Sequence, residues 1–171
     1  VFTINPHMTP NRTYDPAALT AVAKVGEVVL LLAVNPQKVQ AKNFPELVAA
    51  SRQRELSFGS AGVGSPGHMA FEYLRAVSEL NGVHVPYRGA ALALQDLVAG
   101  EIDASFIVSG VLVPHVKSGA LRALAVSANS RVPELPDVPT ASEAGIANFE
   151  ARFANILLAP SSINPAMLSF M

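Results

Sequence analysis

The chain has 171 residues, half of them apolar and 15% charged, with a formal net charge of −1. That composition can bury a core, which excludes disorder, and it offers no basic field for nucleic acid. Cysteine is absent, so disulfides, thiolate metal sites and cysteine nucleophiles are excluded as well.

The longest apolar run, residues 28–34, stops at Asn35-Pro36. That is strand length, well short of the roughly 18 residues a membrane helix needs. The chain starts at Val1 with neither a charged segment nor an apolar signal core, so it reads as a mature or excised piece whose export signal would precede residue 1. The four histidines (7, 68, 84, 115) show no metal-ligand spacing, and no metal or cofactor is expected.

In chain order, a short strand is predicted over residues 2–4, followed by loop and turn around Asn-Pro and Asp-Pro. Residues 22–25 and 28–34 read as extended. The second is apolar on both faces and predicts a buried, central strand. Asn43, with Pro45 and Glu46 behind it, opens a helix to about residue 54. A strand follows at 56–59, then a glycine-rich turn at 62–67. The spacing predicts a helix over 66–80 that buries Met69, Ala70, Tyr73, Leu74 and Val77 and ends at Asn81-Gly82. Next come a strand at 83–87, a turn at Arg88-Gly89, and a helix over 90–99 with Ala91, Leu94, Leu97 and Val98 inward, closed by Gly100. A strand at 102–108, a helix over 109–118 closed by Gly119 and a strand at 121–127 complete the alternation. Beyond a proline-rich loop at 133–139, Thr140 and Glu143 have capping-box spacing for a short helix that stops at Gly145, and 149–158 is extended. Strands alternating with ten-residue helices predict an α/β fold with a mainly parallel sheet flanked by helices.

The turn Ser60-Ala61-Gly62-Val63-Gly64-Ser65-Pro66-Gly67-His68 lies between a strand and a helix. Its glycines allow close backbone approach, Ser65 suits an N-cap and Pro66 the first helical position. The free amides of such a helix start accept phosphate or carboxylate without a basic side chain. Two other readings fit less well, beside that of a plain tight turn with no ligand. Gly62-x-Gly64-x-x-Gly67 matches a dinucleotide fingerprint, but the next strand ends at Tyr87-Arg88 rather than at the acidic residue that would hold a ribose; Arg88 would suit NADP. Nucleophilic catalysis by Ser65 lacks the glycine two residues before it and a paired acid near a histidine.

The run from Leu56 through Ser65, with His68, resembles the loop of the tripartite tricarboxylate transporter solute receptors, the Bug-type periplasmic binding proteins. Tyr14-Asp15-Pro16, His84-Val85-Pro86-Tyr87-Arg88-Gly89, the stretch 118–126, and Leu135-Pro136-Asp137-Val138-Pro139-Thr140 with Glu143-Ala144-Gly145 resemble the same family, in the same order. The resemblance implies a type II periplasmic-binding-protein fold with a carboxylated solute between two lobes. It implies a secreted, periplasmic receptor that is not an enzyme and that passes the solute to membrane transporter subunits. Residues 28–158 would form the second lobe with its two crossover strands, and 1–27 and 159–171 would be remnants of the first. An apolar face left there would pair with another copy or swap its ends.

Carried over by position, Ser60, Ala61, Gly62, Gly64 and Ser65 offer backbone amides and hydroxyls to the carboxylate. His68 either donates to the solute or packs and caps the helix. Arg88 is an anion partner or a solvated turn residue, and Ser109 lies at another strand-to-helix junction. The family's usual Trp and Gly before the last Ala-Pro are Ala154 and Ile156 here.

Overall fold

A computed structural model of the chain describes residues 15–151, 153–164 and 167. The strand expected at 2–4 lies outside them. The described residues divide into two compact units, with boundaries after Val28 and after Arg152.

In the smaller unit, Asp15 caps a single 3-10 turn (Pro16–Ala18), its carboxylate accepting from Ala17 N at 2.9 Å. β1 (Leu19–Val28) then pairs antiparallel with β7 (Phe153–Pro160), from Leu19 opposite Pro160 to Val28 opposite Phe153. β7 begins later than the expected 149. Phe149 instead belongs to the larger unit, where its ring stacks between Tyr73 and Phe106 at 5.3 and 5.7 Å.

The larger unit is one five-stranded sheet with four helices. Its strands are β2 (Leu30–Val34), β3 (Leu56–Ser60), β4 (Gly82–Pro86), β5 (Ala104–Val108) and β6 (Arg122–Val126). Its helices are α1 (Phe44–Gln53), α2 (Pro66–Val77), α3 (Ala90–Ala99) and α4 (Ser109–Lys117). The strand order is β4-β3-β5-β2-β6. β3 runs parallel to β4 and β5, whereas β2 is antiparallel to both β5 and β6. The sheet is therefore mainly parallel, with one strand reversed. β2 is buried as its sequence requires, every residue at 0 to 1% exposure. Its reversal was not expected, because an apolar residue on each face dictates burial and says nothing of direction.

Local chemistry sets the helix ends. Asn43 Oδ1 accepts from Glu46 N at 2.9 Å while Glu46 reaches back to Lys42 N at 2.8 Å, closing the start of α1. Ser65 caps α2. That helix stops at Val77, short of the expected residue 80, where Ser78 Oγ donates to Leu74 O at 2.6 Å. Gly82 does not end the helix; it opens β4, where an added Cβ would lie 2.8 Å from Leu56 O. The buried face of α2 is Gly67, Ala70, Phe71 and Leu74, and Tyr73 is turned outward to donate to Asn148 O. α3 buries Ala93 and Leu97, with Ala91 exposed rather than inward. Thr140 and Glu143 do cap each other, at 2.8 and 3.2 Å, but only one turn forms, because Gly145 closes it before a second can propagate.

Opposite the strand ends that carry the site, Asp103 ties β5 to β3. Its carboxylate receives both Arg54 Nη atoms, at 2.6 and 2.8 Å, and Ser57 N and Oγ at 2.9 and 3.0 Å. Burial works against its charge, but these donors outweigh it and hold the group below its ordinary value of 3.8. The group contributes stability above that value and loses it as pH falls through the lower folded one. Asp103→Asn is expected to lower unfolding stability in urea by about 2 kcal/mol near neutral pH, and to flatten the wild type's acid loss below pH 3.8.

Candidate functional site

Because β3, β4 and β5 are parallel neighbours, their carboxyl ends share one edge of the sheet. The junctions that follow them are residues 61–65, 87–89 and the start of α4 at Ser109. Six loop residues singled out in the sequence (Ser60, Ala61, Gly62, Gly64, Ser65 and Arg88) and the junction residue Ser109 are thus gathered on that edge. In doubly wound sheets this is where ligands bind.

The first junction is a tight turn. Gly62 and Gly64 take φ of +123° and +76°, conformations that side chains with a Cβ rarely adopt, and Ser65 N donates to Gly62 O at 3.1 Å. Gly67, the third glycine, has a different role. A Cβ there would lie 2.5 Å from Phe106 O, so its absence lets α2 sit against β5.

Much of the loop's polarity is satisfied internally. Ser60 is 2% exposed; its Oγ accepts from Gly62 N at 3.1 Å and lies 2.6 Å from His84 Nε2. Its carbonyl accepts from Tyr87 N at 2.9 Å, tying the first junction to the second. Gly64 N donates to His68 Nδ1 at 3.1 Å. Ser65 Oγ accepts from His68 N at 3.3 Å as the cap, which leaves its hydroxyl proton to donate elsewhere. Of the residues expected to face a solute, Ser60, Gly62 and Gly64 therefore turn their named donors inward. Of the amides of residues 61–65, those left without an acceptor among the described residues are those of Ala61 and Val63, both exposed residues; the Gly67 amide, in the first turn of α2, has none either.

His68 is 8% exposed and packs beneath the loop, with its ring on that of His84, centroids 3.9 Å apart. Burial lowers both rings from their ordinary value of 6.5, and a charge on His68 lowers His84 further. Sequence reasoning named His68 but missed His84 as part of this arrangement. The only signal was its place in the motif before Tyr87, since nothing local reveals that β4 aligns His84 beside Phe58 and under the loop.

At the second junction, Tyr87 Oη donates to Asp96 Oδ2 at 2.6 Å; burial and this bond push its pKa up to about 12. Tyr87 is anchored inward and Arg88 is exposed, with no ion pair or hydrogen bond among the described residues. Asp96, the first carboxylate after Tyr87-Arg88, is engaged by Tyr87 within α3 and does not stand at the end of β4, where a ribose-binding acid would. At the third junction, Ser109 N donates to Val29 O at 2.9 Å, and its hydroxyl has no partner among the described residues.

A mainly parallel α/β sheet with a glycine turn feeding a capped helix at its carboxyl edge is an architecture this chain shares with solved periplasmic binding proteins. The chain belongs to the family described as tripartite tricarboxylate transporter family receptor, whose profile matches residues 1–171. It is 32% identical over 154 residues to Protein BugT of Bordetella pertussis, a match that covers 88% of this chain and 46% of that protein. It superposes on Rpa4515 of R. palustris, solved with adipate, with a TM-score of 0.86 and 29% identity over 94% of this chain and 55% of that one. MatC of Rhodopseudomonas palustris, solved with bound malate, gives a TM-score of 0.86 and 28% identity, covering 96% and 57%. Further matching structures are periplasmic proteins of the same fold. The chain spans about half the length of the curated relatives it matches.

Gly67→Ala is expected to lose about 1–2 kcal/mol of stability in urea unfolding, because the clash with Phe106 O outweighs a gain of about 1 kcal/mol in helix propensity. An unchanged or raised midpoint would show that α2 can shift without cost.

Proposed function

We propose that this chain is part of an extracytoplasmic, periplasmic receptor that captures a small carboxylate-bearing solute and passes it to the membrane subunits of a tripartite tricarboxylate-type transporter. Residues 28–158 would be one of its two lobes, with the crossover strands at 28–34 and 149–158. The observation that carries the reading is the Ser60–Ser65 turn. It holds two amides, of the exposed residues Ala61 and Val63, with no acceptor among the described residues, and a hydroxyl proton on Ser65 that the cap does not use, ahead of the positive end of α2. This set of donors at a helix start suits an anion. Arg88 and Ser109, on the same edge, would meet the solute's far end. The relatives solved with adipate and with malate support a dicarboxylate.

A magnitude bounds what the loop can do alone. One helix start stabilises an anion by about 0.3–1 kcal/mol, up to about 2, whereas micromolar binding needs about 8. Binding by these residues without a second loop is therefore weak. Isothermal calorimetry with adipate and malate is expected to give dissociation constants no tighter than about 1 mM, which corresponds to about 4 kcal/mol, weakened further by added salt. NADP is expected to give no heat; NADP binding with no response to either dicarboxylate would overturn the reading in favour of a dinucleotide site.

A further inference from the structure

The Ser60–Ser65 turn rests on two imidazole rings, and only one of the contacts tolerates a change of protonation. We propose that His68 and His84 are positioning residues of the loop, and that the loop keeps its shape only while the His68 ring is neutral. His68 Nδ1 accepts from Gly64 N at 3.1 Å, so the neutral ring carries its proton on Nε2, which faces Glu72 Oε1 at 3.8 Å. A second proton has only Nδ1 to go to. There it meets the Gly64 N–H, donor against donor, and the bond that fixes the left-handed Gly64 is lost.

His84 responds differently. Its Nε2 contacts a hydroxyl, Ser60 Oγ at 2.6 Å, which can either accept or donate, so charging His84 leaves a bond in place. The rings lie face to face at 3.9 Å, so a charge on one opposes a charge on the other. His84 thus serves as the platform for the His68 ring, while His68 carries the proton dependence.

The charged groups facing the pair come from α2. Glu72 favours the protonated His68, and Arg75, 3.2 Å from Glu72 and over the Phe71 ring, draws on that same carboxylate. β3 faces the pair with uncharged Ser60 and β4 supplies His84 itself. Burial of both rings lowers them from 6.5, so the neutral, loop-holding form prevails at neutral pH and is lost on acidification.

The consequence for solute capture rests on the proposed receptor function, since the loop released from His68 no longer holds Ala61 and Val63 in place. The test reads the loop with no solute present, so its outcome is independent of whether a dicarboxylate binds. A ¹⁵N-labelled sample is titrated by NMR from about pH 8 to about pH 5, following the His68 ring protons and the Gly64 amide. The two are expected to move with one midpoint, below 6.5. In His68→Gln, whose side-chain carbonyl can accept from Gly64 without titrating, the Gly64 amide is expected to be flat over that range. Should that variant not fold, Glu72→Gln keeps the test: loss of the carboxylate lowers the His68 midpoint by about half a pH unit, and Gly64 must follow. A Gly64 amide that is flat in the wild type, titrates in His68→Gln, or fails to follow in Glu72→Gln overturns the proposal.

Discussion

β2 is apolar at all five positions and exposed at none, so both of its faces have to be covered. In a chain of short strands, cover on both faces comes from helices, and helices between parallel strands require crossover connections. α2 lies over Phe58 and Phe106 on one side, through the Phe58–Phe71 stack and Gly67. Leu97 of α3 and Leu112 of α4 join Leu31, Ala33 and Ile107 in a core cluster. Each crossover returns the chain to the same edge, and this repetition gathers three loops there. The placement of the candidate site is a consequence of how the core is closed.

The two edges of the sheet handle polarity in opposite ways. At the amino ends of β3 and β5, Asp103, Arg54 and Ser57 satisfy one another. Nearby Asn35 donates to the carbonyls of Leu97 and Val98, both at 3.0 Å, completing the end of α3. At the carboxyl ends, the chain satisfies only part of what it presents. Gly62 and Gly64 are bonded inward, whereas Ala61, Val63, Arg88 and the Ser109 hydroxyl are not. An edge with donors left unpaired among the described residues is suited to an anionic guest, and an edge with a saturated ion pair is suited to holding strands together.

The inward bonds also set the precision of the outward ones. A turn with two glycines in left-handed backbone would be loose by itself. Here Ser60, His84 and His68 bind it from below, and Tyr87 N fastens it to the next strand. The turn that carries the Ala61 and Val63 amides is thus positioned by groups beneath it, as in sites where a supporting shell fixes the contacts.

Much of this was readable residue by residue. Asn43 with Glu46, Ser65 with Pro66, and Thr140 with Glu143 announce their caps because capping is local chemistry between residues three apart. The alternation of strands and helices announced a mainly parallel sheet, and the glycine turn announced its own place between β3 and α2. The periodicity of α2 misled at Tyr73, since an aromatic ring turned outward to bond Asn148 has the same spacing as one turned in. The reversed direction of β2 and the pairing of His68 with His84 left no trace in spacing. Both depend on which strands become neighbours, over separations that no local pattern spans. The sequence by itself determined where the helices are capped, that β2 is buried and that a helix start follows a glycine turn, because those follow from side-chain shape and hydrogen bonding over a few residues. Only the tertiary structure decided how that turn is braced, because the groups that fasten Ser60, the His84 ring and Tyr87 N, are brought in by β4 and the residue that follows it.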